Sequence, residues 1–175
     1  MAGEPPVTPA RQQRTVFGED AELYDRRRPS YPAALMDDIV GLVETPARAI
    51  DVGCGTGKAT DLLAARGVTG VAVDPDARMA ALAAARLASY RGWRVDVADF
   101  ERWTPTNGDV PFDLVVSAQA WHWIDPAVRV AKGLSLLRSG GWLALVWNRP
   151  GDQSSALRQA LDSIYAELVP EVPTY

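Results

Sequence analysis

Five short apolar runs recur along the chain, and each is followed by polar residues or by a segment with helical spacing. The run from Phe112 to Ala118 is almost continuously apolar, which is typical of a strand covered on both faces of a parallel sheet. Strands that alternate with helices favour right-handed crossovers and an α/β fold. We therefore predict strands over 48–52, 68–74, 93–97, 112–118 and 142–147.

Apolar residues at helical spacing fill the gaps between the predicted strands. We predict a helix over 58–66, an alanine-rich helix after Pro75, and a helix that begins at Asp125 and Pro126. A last amphipathic helix is predicted over 152–168. The helix after Pro126 is predicted to bury one apolar face, made of Ala127, Ala131, Leu134 and Leu137.

The first 46 residues differ in character from the rest. Residues 1–15 are rich in proline and polar side chains and predict a mobile tail. Residues 16–46 predict a helical cap of two helices, the first ended by Pro29 and the second begun by Pro32. Residues 47–175 then form the predicted α/β domain.

Composition narrows the class of protein. At 175 residues the chain is long enough for one well-buried core. Acids outnumber bases by 22 to 18, so neither nucleic acid nor an anionic membrane is favoured as a partner. Cys54 is the single cysteine, which excludes an internal disulfide, and no signal pattern or membrane-length apolar run is present. We expect a cytoplasmic protein.

The segment from Ala49 to Thr60 predicts a strand, a tight turn and a helix start. Glycines at every second position allow positive φ angles and a close approach of a ligand to the backbone. Asp51 ends the apolar run, and we expect its carboxylate to face the mouth of a cleft. An anion there would repel a pyrophosphate but would suit an ammonium group. The three glycines are Gly53, Gly55 and Gly57.

This segment, Asp51-Val-Gly-Cys-Gly-Thr-Gly, resembles the nucleotide-binding loop of class I S-adenosylmethionine-dependent methyltransferases. The resemblance implies a Rossmann-like, doubly wound parallel sheet of order 3-2-1-4-5 with helices on both faces. It also implies S-adenosylmethionine as the cofactor. The alternative is a glycine-rich turn that merely joins a strand to a helix. The resemblance places five residues of the loop on the cofactor: Asp51, Gly53, Cys54, Gly55 and Gly57.

Further candidates follow the other predicted strands. Asp74, with Pro75 beside it, comes at the spacing at which a carboxylate binds ribose hydroxyls, although it can instead cap the next helix. The resemblance places Asp99 against the adenine amino group and Phe100 over the purine, whereas a plain turn aspartate is the alternative. Because the ends of parallel strands share one edge, we expect these residues to meet there with Ser117 and Gln119.

Aromatic and cationic residues suggest how the site is closed. By the same resemblance, Tyr24 and Arg28 of the cap close over the methionine end of the cofactor; the alternative is a packed tyrosine beside a solvated arginine run. Trp121 and Trp123 either form walls of the substrate pocket or belong to the core. His122 is the only histidine, so a histidine general base can only be this residue, and the alternative is a backbone-bonded histidine at a helix start.

The resemblance implies in-line methyl transfer to a small-molecule acceptor, in which most of the rate comes from orienting the reactants. Residues 120–125, Ala-Trp-His-Trp-Ile-Asp, resemble a segment of methyltransferases that act on carboxylic acids such as trans-aconitate. An NAD-type oxidoreductase is the alternative enzyme, but it predicts a third glycine one residue later and no acid before the loop. A non-catalytic cofactor-binding domain is a further alternative.

Methyltransferases of this class continue after the fifth strand with an antiparallel hairpin. The sequence predicts no such hairpin, so we expect a truncated domain whose fifth strand, 142–147, is an open edge. An open edge strand favours self-association through that strand.

Overall fold

The computed structural model describes residues 21–106 and 111–148, together with four helical positions: Gln159, Ser163, Ile164 and Glu167. The predicted tail over 1–15, the start of the first cap helix and most of the predicted helix 152–168 lie outside the described residues. All five predicted strands and the helices between them fall within the described residues.

The described residues form one parallel sheet of five strands in the order β3-β2-β1-β4-β5. This order confirms the predicted doubly wound α/β fold. Its strands are β1 (Arg48–Val52), β2 (Thr69–Asp74), β3 (Trp93–Val97), β4 (Phe112–Ala118) and β5 (Leu137–Val146).

Helices precede the sheet and connect its strands. Two of them begin at aspartates whose side chains accept backbone N–H bonds: Asp76 from Arg78 and Met79, and Asp125 from Ala127. The helices are α1 (Ala21–Arg27), α2 (Ala33–Val40), α3 (Lys58–Ala64), α4 (Ala77–Leu87) and α5 (Pro126–Ser135), with a 3₁₀ turn over Trp121–Trp123.

The two faces of the sheet bury separate apolar clusters, because alternate side chains of a strand point to opposite faces. Ala49 of β1 belongs to the cluster that includes Met36 of α2 and Leu63 of α3. Ile50 belongs to the opposite cluster, which includes Trp121. The strand ends are therefore held rigidly between two layers, and side chains at their carboxyl ends have fixed positions.

The fifth strand begins earlier than the sequence predicts. The predicted strand starts at Trp142, yet β5 already pairs at Leu137 with Phe112. An irregularity in the ladder absorbs the extra residues, and Gly140 there has a φ of 74°. In the part of the chain that the structure describes, β5 is an edge strand, and self-association through it stays a prediction.

The predicted apolar face of α5 is also wrong. Leu134 is 54% exposed, and Leu137 lies in β5 instead of the helix. The buried residue of this helix is Gly133, where a Cβ would stand 3.1 Å from the Trp121 indole. The Trp121 indole packs directly against this helix and leaves no room for a large side chain there. The helix therefore turns Gly133 toward the indole, and Leu134 faces outward.

No helix among the described residues combines the length and the apolar character needed to cross a bilayer.

Candidate functional site

A cleft of about 580 Å³ opens at the carboxyl ends of the central strands, beneath the α1–α2 cap. This is the position at which parallel α/β sheets bind ligands. Thirteen of the sixteen residues predicted for the site line this cleft. They are Tyr24, Arg28, Asp51, Gly53, Cys54, Gly55, Asp74, Pro75, Asp99, Phe100, Gln119, His122 and Trp123.

Asp51 lies on the floor of the cleft and is fully buried, instead of facing the mouth as the sequence predicts. Its Oδ2 accepts a hydrogen bond of 2.6 Å from the Thr60 hydroxyl, which α3 places beneath it. Its Oδ1 has no hydrogen-bond partner among the described residues. Burial raises the pKa of Asp51 to about 7, and the charge of Asp74 adds to this, while the Thr60 hydrogen bond opposes it.

Asp74 ends β2 beside the glycine turn. Its two carboxylate oxygens accept backbone hydrogen bonds from Gly55, at 2.8 Å, and from Asp76, at 2.9 Å. Burial raises its pKa, and these two hydrogen bonds oppose that shift. The alternative role as helix cap is wrong, because Asp76 caps α4. Asp74 therefore orders the turn and still presents a carboxylate to the cleft.

The glycine turn is shaped by two close approaches. All three glycines have positive φ, as predicted. At Gly53 a Cβ would stand 2.3 Å from the Cβ of Ala120, so the turn packs directly on the segment after β4. At Gly55 the φ of 56° is the constraint, because the nearest atom to a Cβ is the Met79 methyl at 3.7 Å.

Two predicted cofactor residues do not reach the cleft. Gly57 faces α4, where a Cβ would stand 3.0 Å from the Ala83 Cα, so this glycine allows two helices to approach. Ser117 is fully buried, and its hydroxyl donates 2.8 Å to the Val52 carbonyl of the neighbouring strand. Both residues support the site through packing or strand pairing.

The two tryptophans after β4 have different roles. Trp121 is 4% exposed and packs with Phe100 in the core, so its predicted place in the pocket wall is wrong. Trp123 and His122 line the cleft instead. The 3₁₀ turn explains the division, because it directs consecutive side chains to different sides.

The 99–101 turn forms one wall. The Asp99 carbonyl accepts N–H bonds from Arg102 and Trp103, and Asp99 and Phe100 both line the cleft. Lys132 of α5 holds the turn from behind: its Nζ donates to the Trp103 carbonyl and lies 5.2 Å from the Phe100 ring centroid.

The cap forms the opposite wall. Tyr24 and Arg28 lie one helical turn apart, with the Arg28 guanidinium 5.1 Å from the Tyr24 ring centroid. Tyr31 also lines the cleft, and burial raises the pKa of its phenol, as does the charge of Asp51. Tyr31 therefore stays a neutral hydroxyl near the buried carboxylate.

His122 lies at the cleft wall, where the Trp147 indole N–H is 3.4 Å from its Nδ1. Burial lowers the pKa of His122, and the charge of Arg129 lowers it further. The imidazole is therefore neutral at neutral pH, and with Nδ1 accepting, its proton is on Nε2. Such a histidine donates a hydrogen bond from Nε2.

Sequence reasoning missed several lining residues. Tyr31 stands between Ser30 and Pro32, and this aromatic residue at the junction of the two cap helices is the signal that could have indicated it. The others lie within or beside segments already singled out, where only the fold shows which side chains turn inward. The missed lining residues with polar side chains are Tyr31, Thr56, Lys58, Glu101 and Asn148.

Comparison with known proteins identifies a family and several relatives that are similar to this chain. Residues 49–141 match the family model described as a methyltransferase domain. An uncharacterized methyltransferase of Mycobacterium tuberculosis is 38% identical over 143 residues, covering 82% of this chain and 56% of the relative. A trans-aconitate 2-methyltransferase of Streptomyces avermitilis is 36% identical over 118 residues, covering 64% of this chain and 43% of the relative. The chain spans about half the length of the curated relatives that it matches.

Solved structures share the fold. A methyltransferase from Geobacter sulfurreducens, solved in complex with S-adenosyl-L-homocysteine, superposes with a TM-score of 0.59 at 19% identity. The match covers 73% of this chain and 53% of that one. The family model itself covers more than half of the chain and includes the glycine turn, β2 to β4 and all but the first residue of β1. This chain therefore belongs to the methyltransferase domain family.

Proposed function

We propose that the cleft binds S-adenosylmethionine and that the protein transfers its methyl group to a small carboxylic acid. Family membership, the relatives' names and the cleft all support this proposal. The observation that carries it is the floor of the cleft, where Asp51 is fully buried with one oxygen lacking a partner among the described residues.

A buried carboxylate oxygen without a partner is costly unless a ligand supplies a donor. The ammonium group of an amino acid supplies both a donor and a positive charge. A pyrophosphate supplies neither, and the Asp51 and Asp74 carboxylates would repel it. The residues present therefore fit an amino acid joined to a nucleoside better than a dinucleotide.

Three parts of the cleft would hold the cofactor. Asp51 and the turn at Gly53 would bind its amino acid end. Asp74 would accept hydrogen bonds from the ribose hydroxyls, since each carboxylate oxygen can accept more than the one bond it has. Asp99 and Phe100 would bind the adenine.

When bound, the cofactor would supply a methyl group attached to a positively charged sulfur. The sulfur keeps the electron pair of the broken carbon–sulfur bond and becomes neutral. The protein needs to orient the acceptor and exclude water, because the two opposite charges are lost together. Trp123 and Tyr24 supply aromatic walls near the cleft. Aromatic faces also attract cations.

Two residues that line the cleft, Arg28 and His122, indicate the charge of the methyl acceptor. Arg28 lines the cleft, and among the described residues no carboxylate forms an ion pair with it. His122 adds a neutral N–H donor on the same lining. A carboxylate acceptor would be bound by both groups and needs no general base for its methylation. This assigns His122 an orienting role in the transfer.

Binding is tested by titrating the full chain with S-adenosylhomocysteine and, separately, with NAD. We expect only the former to bind, and we expect Asp51→Asn to weaken it by about tenfold to a hundredfold, the effect of losing a hydrogen bond to a charged group. Asp113→Asn is the matched control, because this carboxylate pairs with Arg138 and does not line the cleft. Preferential binding of NAD would refute the proposal.

Turnover is tested with a panel of small di- and tricarboxylic acids and their neutral amides. Methylation of the acids alone is expected, and His122→Ala should raise KM for the acid more than it lowers kcat. If the amides react equally well, the carboxylate assignment is wrong. Binding without transfer to any compound, in this chain and in a longer one, would favour a non-catalytic cofactor-binding domain.

A further inference from the structure

Helix α1 and Arg28, which directly follows it, contribute two residues to the cleft, but the described part of α1 buries little apolar surface. Ala21 is its one buried residue in the described structure, and Leu23 is 41% exposed. An element with so little buried apolar surface belongs to the least stable part of a fold. Among the described residues, polar contacts are therefore the main attachment that holds α1 over the cleft.

Those contacts converge on Asp25. Its carboxylate oxygens both lie 2.8 Å from Nη2 of Arg86, which comes from α4, and Oδ1 also accepts a bond of 2.5 Å from the Thr56 hydroxyl. Arg86 Nε in turn donates 2.9 Å to the Thr56 carbonyl. Burial would raise the pKa of Asp25, but the Thr56 hydroxyl and the charges of Arg86 and Lys58 outweigh burial and lower it. Asp25 is ionised at neutral pH.

A second attachment surrounds the same carboxylate. Lys58 Nζ donates 2.5 Å to the Asp25 carbonyl and 2.6 Å to the Arg28 carbonyl, and lies 3.8 Å from Asp25 Oδ1. Thr56 and Lys58 also line the cleft. The cap is thus attached to the segment that forms the cleft floor, and charge-assisted bonds of this kind are among the stronger ones.

We propose that Asp25 is a positioning residue that holds α1, with Tyr24 and Arg28, over the cleft and thereby sets how slowly a bound ligand leaves. Asp25 itself does not line the cleft, so it acts through these two neighbours. The identity of the ligand rests on the proposed function, whereas the attachment of α1 does not.

The attachment is tested without ligand by limited trypsin digestion. Cleavage after Arg26 and Arg27 within α1 reports opening of the cap, because a protease needs locally unfolded backbone. Asp25→Asn should speed cleavage at these two bonds about tenfold, as expected for losing a charge-assisted bond. Arg86→Gln should do the same, and the double variant should be no faster than either one.

The matched control is Asp37→Asn. This change breaks the Asp37–Arg66 ion pair, which has an N···O distance of 2.7 Å and joins α2 to the segment after α3 away from the cleft. It should leave cleavage within α1 unchanged. Equal acceleration in Asp37→Asn and Asp25→Asn would overturn the proposal, since the effect would then be general loosening.

The ligand arm measures dissociation of S-adenosylhomocysteine by stopped-flow tryptophan fluorescence. Asp25→Asn should release it about tenfold faster with little change in association, since affinity changes mostly appear in dissociation. Faster cleavage with unchanged dissociation would overturn the role in ligand retention. If the unaltered protein binds no S-adenosylhomocysteine, the proposed function fails, and digestion alone still decides whether Asp25 holds the cap.

Discussion

Each of the three glycines in the turn is required at its position by different neighbours or backbone angles. Gly53 is needed because Ala120 occupies the place of a Cβ, Gly55 because of its backbone angle, and Gly57 because α4 lies against it. All three positions therefore have a conformational constraint, and Gly53 and Gly57 have a packing constraint as well. The spacing alone predicts the positive φ angles, and only the neighbours in space show which glycine tolerates no side chain.

Gly53→Ala should destabilise the protein more than Gly67→Ala, although both glycines have φ above 70°. No atom of the described residues lies within 4 Å of the place that a Cβ would take at Gly67. Its substitution therefore costs only the strain of a side chain in the left-handed backbone region, about 1 kcal/mol of unfolding free energy. Gly53→Ala adds a clash with Ala120, worth about 1 to 3 kcal/mol more. Urea unfolding measures both.

The clash is checked by combining Gly53→Ala with Ala120→Gly. The second change removes the atom that the new methyl group meets, so part of the loss should be recovered. Equal losses for Gly53→Ala and Gly67→Ala would show that packing on Ala120 is unimportant.

Short elements have the greatest influence on the cleft. The 3₁₀ turn over Trp121–Trp123 directs one indole into the core and the next two side chains to the cleft. Asp25 of α1 accepts hydrogen bonds from Arg86 of α4, while α5 turns Gly133 inward against the buried Trp121 indole. The 3₁₀ turn and the described part of α1 are too short for apolar periodicity to indicate which side is buried, and in α5 the periodicity indicates the wrong face.

Trp121→Ala and Trp123→Ala should separate stability from binding. Trp121 is 4% exposed, so its truncation should cost about 3 to 5 kcal/mol of unfolding free energy. Trp123 is half-buried on the cleft wall, so its truncation should weaken acceptor binding and cost far less stability. Denaturant unfolding and acceptor KM are the two measurements, and a large stability loss for Trp123→Ala alone would contradict this division.

At the scale of the whole molecule, a parallel sheet gathers acids from separate strands at one edge. Asp51 and Asp74 meet at the carboxyl ends of adjacent strands, and burial raises the pKa of both. The fold therefore stores an electrostatic cost at the cleft, which a cationic ligand would relieve. This cost should be visible in the pH dependence of global stability.

The free energy of unfolding should fall as pH rises from about 5 to about 7. The pKa of Asp51 is about 7 in the folded state and 3.8 for an ordinary aspartate, so the folded state retains a proton that the unfolded state has released. The slope from this one group approaches about 1.4 kcal/mol per pH unit.

Asp51→Asn should flatten that slope in urea unfolding at several pH values. His122, whose pKa is lowered, contributes a slope of opposite sign, but both proteins share it and it cancels in the comparison. An identical pH dependence in the variant would show that Asp51 is ionised in the folded state throughout this range.

The sequence by itself determined the fold class and about half of the cleft lining, and the family resemblance supplied the strand order. Period-two and period-3.6 patterns reflect which face of an element is apolar, and the glycine turn with its preceding acid is a local feature. The family match spans that turn and confirms the family that it indicates, while the contacts of its residues with the cofactor stay a prediction. The predicted bounds of β1, β3 and β4 agree with the structure. β1 and β4 are mostly buried runs with clear ends, whereas β3 alternates apolar and charged residues.

Only the tertiary structure decided the burial of Asp51, the core position of Trp121, the helix contact of Gly57 and the attachment of α1 through Asp25 and Arg86. Each of these depends on residues that are distant in sequence and meet only when the chain folds. A local sequence pattern indicates only which secondary structure its own segment prefers. Which neighbour fills the adjoining space, and which charge meets it there, is settled by packing between segments.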